Sequence, residues 1–279
     1  MNTYILTYDQ LQKYTYWLRR EERCEGTVEK YLRDIQAFAR WLEGRPVTKE
    51  QTAGWKAYLM AAGYAPVTIN SMLSAINGLF RFLGWEECRV KFLKVQRRLF
   101  RDEGRDLTRP EYVRLLDTAR NLGRDRLALL METICATGIR VSEVRTVEAA
   151  RRGRAEIASK GKVRIILLPN KLCRKLLKYA QKQKTVSGEI FLTGNGKPLT
   201  RRQIWAEMKR LCKRARVAPS KVFPHNLRHL FATAFYRVSR DIVKLADVLG
   251  HSSIETTRIY LISTGAEHQR QLDRLGLVS

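Results

Sequence analysis

Apolar residues recur at helical spacing through the first eighty positions of the chain. Leu32, Ile35, Phe38, Ala39 and Leu42 form one stripe, which predicts a helix with one buried face. Thr48-x-x-Gln51 has the form of a capping box and predicts a second helix running through Leu59. Ile69, Met72, Leu73, Ile76, Leu79, Phe80 and Leu83 make the clearest stripe. Its opposite face carries Asn70, Ser71, Ser74, Asn77 and Arg81. One reading of that face is the solvated side of a helical bundle.

The pattern breaks between Gly84 and Asp106, where Arg97, Arg98 and Arg101 cluster. Thr108-x-x-Glu111, with Pro110 inside the first turn, then starts a new helix. The division implied is a helical domain over residues 1–95, a basic linker over 96–106 and a second domain over 107–279. In the second domain, Leu127, Leu130, Met131 and Ile134 predict a buried helix ended by Gly138, with Arg140 at the start of the next. Ala155–Pro169 reads as strand, turn and strand, with Ser159–Lys162 as the turn, and the preceding ARRGR as another turn. Gly194–Lys197 lacks the other residues of a phosphate-binding loop and reads as a plain turn. Thr200-x-x-Gln203 caps a helix with Ile204, Met208 and Leu211 inward, and Arg201, Arg202, Lys209, Arg210, Lys213 and Arg214 among its other positions. The fold class expected is mainly α with a small β-sheet, the second domain being α+β.

Charge changes the picture. Lys and Arg number 53 against 27 Asp and Glu, a formal net charge of +26. An excess of that size points to a polyanion as partner. A membrane is a poorer candidate. No apolar run reaches the roughly 18 residues that span a bilayer, and the N-terminus has no secretory signal pattern. Five cysteines, none spaced as C-x-x-C, argue against a zinc ribbon or a disulfide framework and fit a reducing cytoplasm.

Candidate chemistry gathers in residues 223–260. A helix starting near Pro224 puts His225, Arg228 and His229 on one face. Ile242, Leu245, Ala246, Val248 and Leu249 predict another helix, closed by Gly250. His251 falls in the joint. Ser252 and Glu255 read as the capping box of a further helix that carries Tyr260. Taken singly, each histidine is as easily a satisfied core residue. Together, H-x-L-R-H, then L-G-H-S, then a tyrosine nine residues later (260 − 251) resemble the tyrosine recombinases, the lambda-integrase and Xer-like site-specific DNA recombinases. Thr137, Gly138, Ile139, Arg140, Ser142 and Glu143 resemble that family's first-arginine motif.

The resemblance implies a SAM-like helical core-binding domain followed by a recombinase catalytic domain. Tyr260 would attack a DNA phosphodiester and form a 3′-phosphotyrosine bond, needing neither metal nor other cofactor. Arg140 and Arg228 would clamp the scissile phosphate with His251, while His225 assists proton transfer. Lys160 at the hairpin tip, or Lys162 in its place, would protonate the leaving oxygen. Glu143 and His229 would have accessory roles. DNA contacts would come from Asn70, Ser74, Asn77 and Arg81, from Arg97, Arg98 and Arg101, and from Arg201, Arg202 and Lys209. The partners implied are double-stranded DNA and further copies of the chain, as a tetramer joined through the C-terminal tail with Leu272, Leu275 and Leu277. The cell compartment implied is the cytoplasm, at the nucleoid. The elementary chemistry agrees, because a cationic clamp can stabilise phosphoryl transfer without the clustered carboxylates of two-metal nucleases. Three rivals share parts of this reading. A type IB topoisomerase or telomere resolvase shares the chemistry. A catalytically inactive DNA-binding regulator shares the charge. A metal protein using His225 and His229 lacks obvious further ligands.

Overall fold

The computed structural model describes residues 4–95, 103–141, 143, 146–159, 162–260, 269–270 and 272–275. The chain divides into two compact units, Met1–Arg97 and Arg98–Ser279.

The first unit is a four-helix bundle of α1 (Tyr8–Arg20), α2 (Glu25–Leu42), α3 (Lys49–Ala61) and α4 (Pro66–Leu83). Thr7 and Gln10 cap α1 reciprocally, and Thr48 caps α3 through its hydroxyl. The stripes meet as their spacing predicts: Ile35 and Phe38 of α2 pack with Ile69, Leu73, Ile76 and Phe80 of α4, all buried in one core. Gly84 ends α4 in the left-handed region, φ +74°.

The polar face of α4 is not the open surface expected. Asn77 is buried and holds Val90, donating Nδ2–H to the carbonyl at 2.9 Å and accepting from the N–H at 3.2 Å. Asn70 does the same to Leu93, at 2.9 and 2.8 Å. Lys56 of α3 adds a bond to the Lys91 carbonyl at 2.9 Å. Two asparagines thus act as a hydrogen-bonding edge for residues 90–93. An extended segment needs such partners for its backbone groups, and these amides are therefore withdrawn from the role of DNA contact. Ser74 is half-buried beside Tyr31, and Arg81 is exposed. Arg97, Arg98 and Arg101 lie outside the described residues.

The second unit contains α5 (Arg109–Asn121), α6 (Asp125–Thr137), α7 (Val147–Arg152), β1 (Arg154–Ser159), β2 (Lys162–Leu167), α8 (Asn170–Lys182), α9 (Arg201–Lys209), α10 (Cys212–Ala215), α11 (Pro224–Ser239), α12 (Ile242–Leu249) and α13 (Ile254–Arg258). Its core is built from Leu115, Leu127, Met131, Ile134, Met208, Leu211 and Leu227. The capping boxes at Thr108 and Thr200 both form. β1 and β2 pair antiparallel, from Arg154 opposite Leu167 to Ser159 opposite Lys162. Lys160 lies outside the described residues, and Lys162 opens β2.

Three local expectations shift. ARRG is the end of α7 and its left-handed cap at Gly153, φ +68°, and only Arg154 enters the strand. Arg140 does not begin a helix; it stands in the segment between α6 and α7, and α7 starts at Val147 under a Thr146 cap. The Glu143 carboxylate accepts from the Arg140 N–H at 2.8 Å and closes a local turn there. Ser253, not Ser252, caps α13 by accepting from Glu255 N–H at 3.2 Å. That helix is short, and Tyr260 sits just past its C-cap, Ile259. Among the described residues, no helix is long and apolar enough to cross a membrane.

Candidate active site

Two helix C-termini make the site possible. Gly138 ends α6 and Gly250 ends α12, both in the left-handed region that glycine adopts without strain. Neither position has room for a side chain. A Cβ at Gly138 would lie 2.4 Å from Phe231, and one at Gly250 would lie 2.3 Å from Arg164. The close approach brings the carbonyls of Gly138 and Leu249 onto the first turns of α11.

Arg228 projects from α11 between them and is 4% exposed. Its guanidinium donates to the Gly138 carbonyl, to the Leu249 carbonyl at 2.7 Å, and to His251 Nε2 at 3.1 Å. The Tyr260 oxygen lies close enough to interact with the guanidinium charge. Burial pushes the arginine pKa down, with partial relief from the Tyr260 oxygen. The negative ends of two helices, which favour cations, and a full set of acceptors keep this buried charge in place.

His251 follows from the same contacts. Arginine has no acceptor, so His251 Nε2 must accept. The proton then sits on Nδ1, which donates to the hydroxyl of fully buried Thr257 at 2.8 Å. Loss of water, then Arg228, Arg140, Arg164 and His225, push the His251 pKa down to about 4. The ring is therefore neutral at physiological pH. His225 reaches the surface, yet its pKa is also lowered, by loss of water and then by Arg228 and Arg201. Arg201 of α9 thus approaches the site electrostatically.

Tyr260 is 3% exposed and packs on Ala232, Leu245 and Leu249. Three imidazoles surround its ring. His229 meets it edge-on at 5.0 Å between centroids, His251 stacks at 5.9 Å, and His225 lies at 6.2 Å. Asp106 faces His229, with 3.8 Å from Oδ1 to Nδ1.

Arg140 supplies a second guanidinium. One edge donates to Glu143 at 2.9 Å, while the side chain stays 40% exposed. Glu143 is nearly buried, which disfavours its charge. The Arg140 N–H, the Arg140 guanidinium and Arg164 outweigh that and hold its carboxyl below the usual range. Arg164 of β2 binds the other Glu143 oxygen and also the Leu249 carbonyl.

The structure thus brings together Arg140, Glu143, His225, Arg228, His229, His251 and Tyr260. Lys160 and Ser142 lie outside the described residues. Arg202 is exposed on α9. Lys209 is engaged within its own unit, with its ammonium on the Pro219 carbonyl and over the rings of Trp205 and Phe223 at 5.2 and 6.0 Å. Sequence reasoning missed Arg164, Thr257 and Asp106. The one available signal for Arg164 was a charge inside an otherwise apolar strand, VRIILL.

Comparison with known proteins agrees with this geometry. Residues 105–267 match the model of the phage integrase family, and residues 11–87 that of the phage integrase N-terminal SAM-like domain. The chain is 27% identical over 295 residues to tyrosine recombinase XerA of Pyrococcus furiosus, covering 100% of this chain and 98% of that one. It is 30% identical over 265 residues to tyrosine recombinase XerD of Xanthomonas campestris pv. campestris, covering 85% and 81%. Among solved structures, a lambda integrase dimer bound to a COC′ core site is similar with a TM-score of 0.72 at 19% identity, covering 93% of this chain and 77% of that one. XerH bound to its difH substrate in a pre-cleavage complex is similar with a TM-score of 0.68 at 20% identity, covering 95% and 84%. With a mainly helical fold, a SAM-like first domain and a catalytic-domain match spanning the whole site, the chain belongs to the phage integrase family of tyrosine recombinases.

Proposed function

We propose that this protein is a site-specific recombinase or integrase that cuts and rejoins double-stranded DNA through a covalent phosphotyrosine at Tyr260. The observation that carries the reading is a buried tyrosine whose oxygen lies within electrostatic reach of a buried arginine and whose ring is enclosed by three histidines. An ordinary core tyrosine needs one partner for its hydroxyl, not a cluster of cations and imidazoles.

The Tyr260 oxygen attacks the scissile phosphorus, and the P–O5′ bond breaks. Its proton passes to His225, which is neutral at physiological pH and free to accept it. Arg228 and Arg140 stabilise charge on the non-bridging oxygens as it develops. His251 joins them once phosphate arrives, because an anion among the three arginines raises its pKa. Lys160 donates the proton to the departing 5′ oxygen. The phosphotyrosine bond preserves the cleaved linkage, so rejoining needs no ATP. Asp106 and His229 hold the Tyr260 ring from its outer edge.

DNA is the partner that the +26 charge favours. The duplex would be gripped by both domains, 1–95 and 107–279, across the 96–106 linker. Exposed Arg81, Arg201 and Arg202 are the described contacts best suited to it. XerH has been solved in a pre-cleavage complex with its substrate, and lambda integrase as a tetramer on a Holliday junction. We assign the same kind of assembly to this chain, joined through its C-terminal tail, where Leu272 and Leu275 are exposed. The place of action is the cytoplasm, on the chromosome.

The test is a nicked suicide substrate carrying the recombination site, incubated with excess EDTA and resolved by denaturing electrophoresis. Wild type should form a protein–DNA adduct that peptide mapping places on Tyr260. Tyr260→Phe should bind DNA as before and form none. An adduct on another residue, or one abolished by EDTA, refutes the assignment. No adduct at all on the true site would make the protein a DNA-binding regulator.

A further inference from the structure

Arg164 stands on β2 among residues that alternate between solvent and interior. Val163 and Ile165 are 71% and 56% exposed, while Ile166 is buried. Arg164 therefore faces inward with Ile166, and its side chain is 13% exposed. It reaches two acceptors from this position. One guanidinium nitrogen donates to the Leu249 carbonyl and the other to Glu143. The side chain lies in the space that the missing Cβ of Gly250 leaves open.

Each acceptor is shared with an arm of the phosphate clamp. The Leu249 carbonyl also takes a bond from Arg228, at 2.7 Å. The Glu143 carboxylate also takes two bonds from Arg140, one from the backbone N–H and one from the guanidinium. Leu249 is the last residue of α12, two positions before His251. One planar fork on β2 thus sets the distance between Arg140 and the Arg228–His251 pair. These two arms come from segments far apart in the chain, and no other side chain described bonds to both acceptors.

We propose that Arg164 is a positioning residue for the reaction, holding the two halves of the clamp in register with each other and with the β1–β2 hairpin. This rests on the function proposed above. Arginine suits the task because its fork can satisfy two acceptors along fixed directions. A lysine ammonium supplies the charge without the fixed fork.

The experiment measures single-turnover cleavage of the nicked substrate and DNA affinity for wild type, Arg164→Met, Arg164→Lys, Glu143→Gln and the Arg164→Met/Glu143→Gln double variant. Arg164→Met should keep DNA affinity within about twofold, since it is one cation among many. Its cleavage rate should fall on the order of 10²-fold, the usual consequence of a misplacement near 1 Å. Arg164→Lys should stay closer to Arg164→Met than to wild type. In the Glu143→Gln background the Arg164→Met change should cost under about threefold, because the path through the carboxylate is already broken. A merely structural residue would give additive losses. Additive losses, full rescue by lysine, or a parallel loss of affinity and cleavage each overturn the proposal. If Arg164→Met does not fold, the Arg164→Lys/Glu143→Gln cycle reads the same coupling. A wild-type adduct on Tyr260 with an unimpaired Arg164→Met variant defeats this inference alone, whereas no wild-type adduct defeats the function beneath it.

Discussion

Acidification through the ordinary histidine range should leave His251 uncharged in the DNA-free protein. The perturbation is a titration from neutral pH towards pH ~4, close to the value to which burial and then Arg228, Arg140, Arg164 and His225 push this ring. In the unfolded chain the same side chain titrates near 6.5. Between these values the unfolded state binds a proton that the folded state refuses. Stability is therefore unaffected above about pH 6.5 and falls as the pH drops towards 4. At about 1.4 kcal/mol per pH unit, the gap between 6.5 and about 4 sets an upper figure near 3 kcal/mol. The ring is only partly buried, so solvent screening brings this to roughly 2 kcal/mol. The assay is an NMR titration of the imidazole Cε1–H resonances, with the His251→Gln variant to assign them and thermal melts at each pH. The variant should lose the part of the acid slope that belongs to this ring. Adding a phosphate-bearing DNA half-site should raise the His251 pKa, because the anion offsets the arginines. A His251 resonance that titrates near 6.5 without DNA would rule out a ring held neutral by its surroundings. So would one that does not move upward in Arg228→Met.

Gly138→Ala should destabilise the second unit, since the added Cβ meets Phe231 at 2.4 Å and the backbone sits at φ +63°. Left-handed strain and overpacking each cost about 1–3 kcal/mol, and a melting curve unchanged from wild type would contradict the packing described. Asn77→Ala should destabilise the first unit by roughly 1–3 kcal/mol, because it strips the partners from both backbone groups of Val90. Hydrogen exchange should show Val90 losing protection. If instead the variant weakens DNA binding with no loss of stability, Asn77 is a DNA contact after all.

Much of the architecture is legible along the chain. Helical periodicity defined the α2 and α4 stripes, because a buried face must repeat every three or four residues. Threonine boxes located α5 and α9, because the free N–H groups of a first turn need local partners. The order of Arg140, His225, Arg228, His251 and Tyr260 was legible because their residue types and spacing are distinctive along the chain. What those residues touch emerges once the chain has folded. Asn70 and Asn77 looked like a solvent face because they lie opposite the apolar stripe, but a segment thirteen to twenty-three residues later needed their amides. Arg164 looked like one more basic residue among 53, because nothing local reveals that Gly250 leaves it space and Leu249 gives it a carbonyl. The neutrality of His251 was equally hidden, being set first by burial and then by three arginines from separate segments and by His225. Periodicity and caps are short-range effects that are written in neighbouring residues. Burial, pKa and the pairing of charges depend on distances that exist only once the chain has closed on itself.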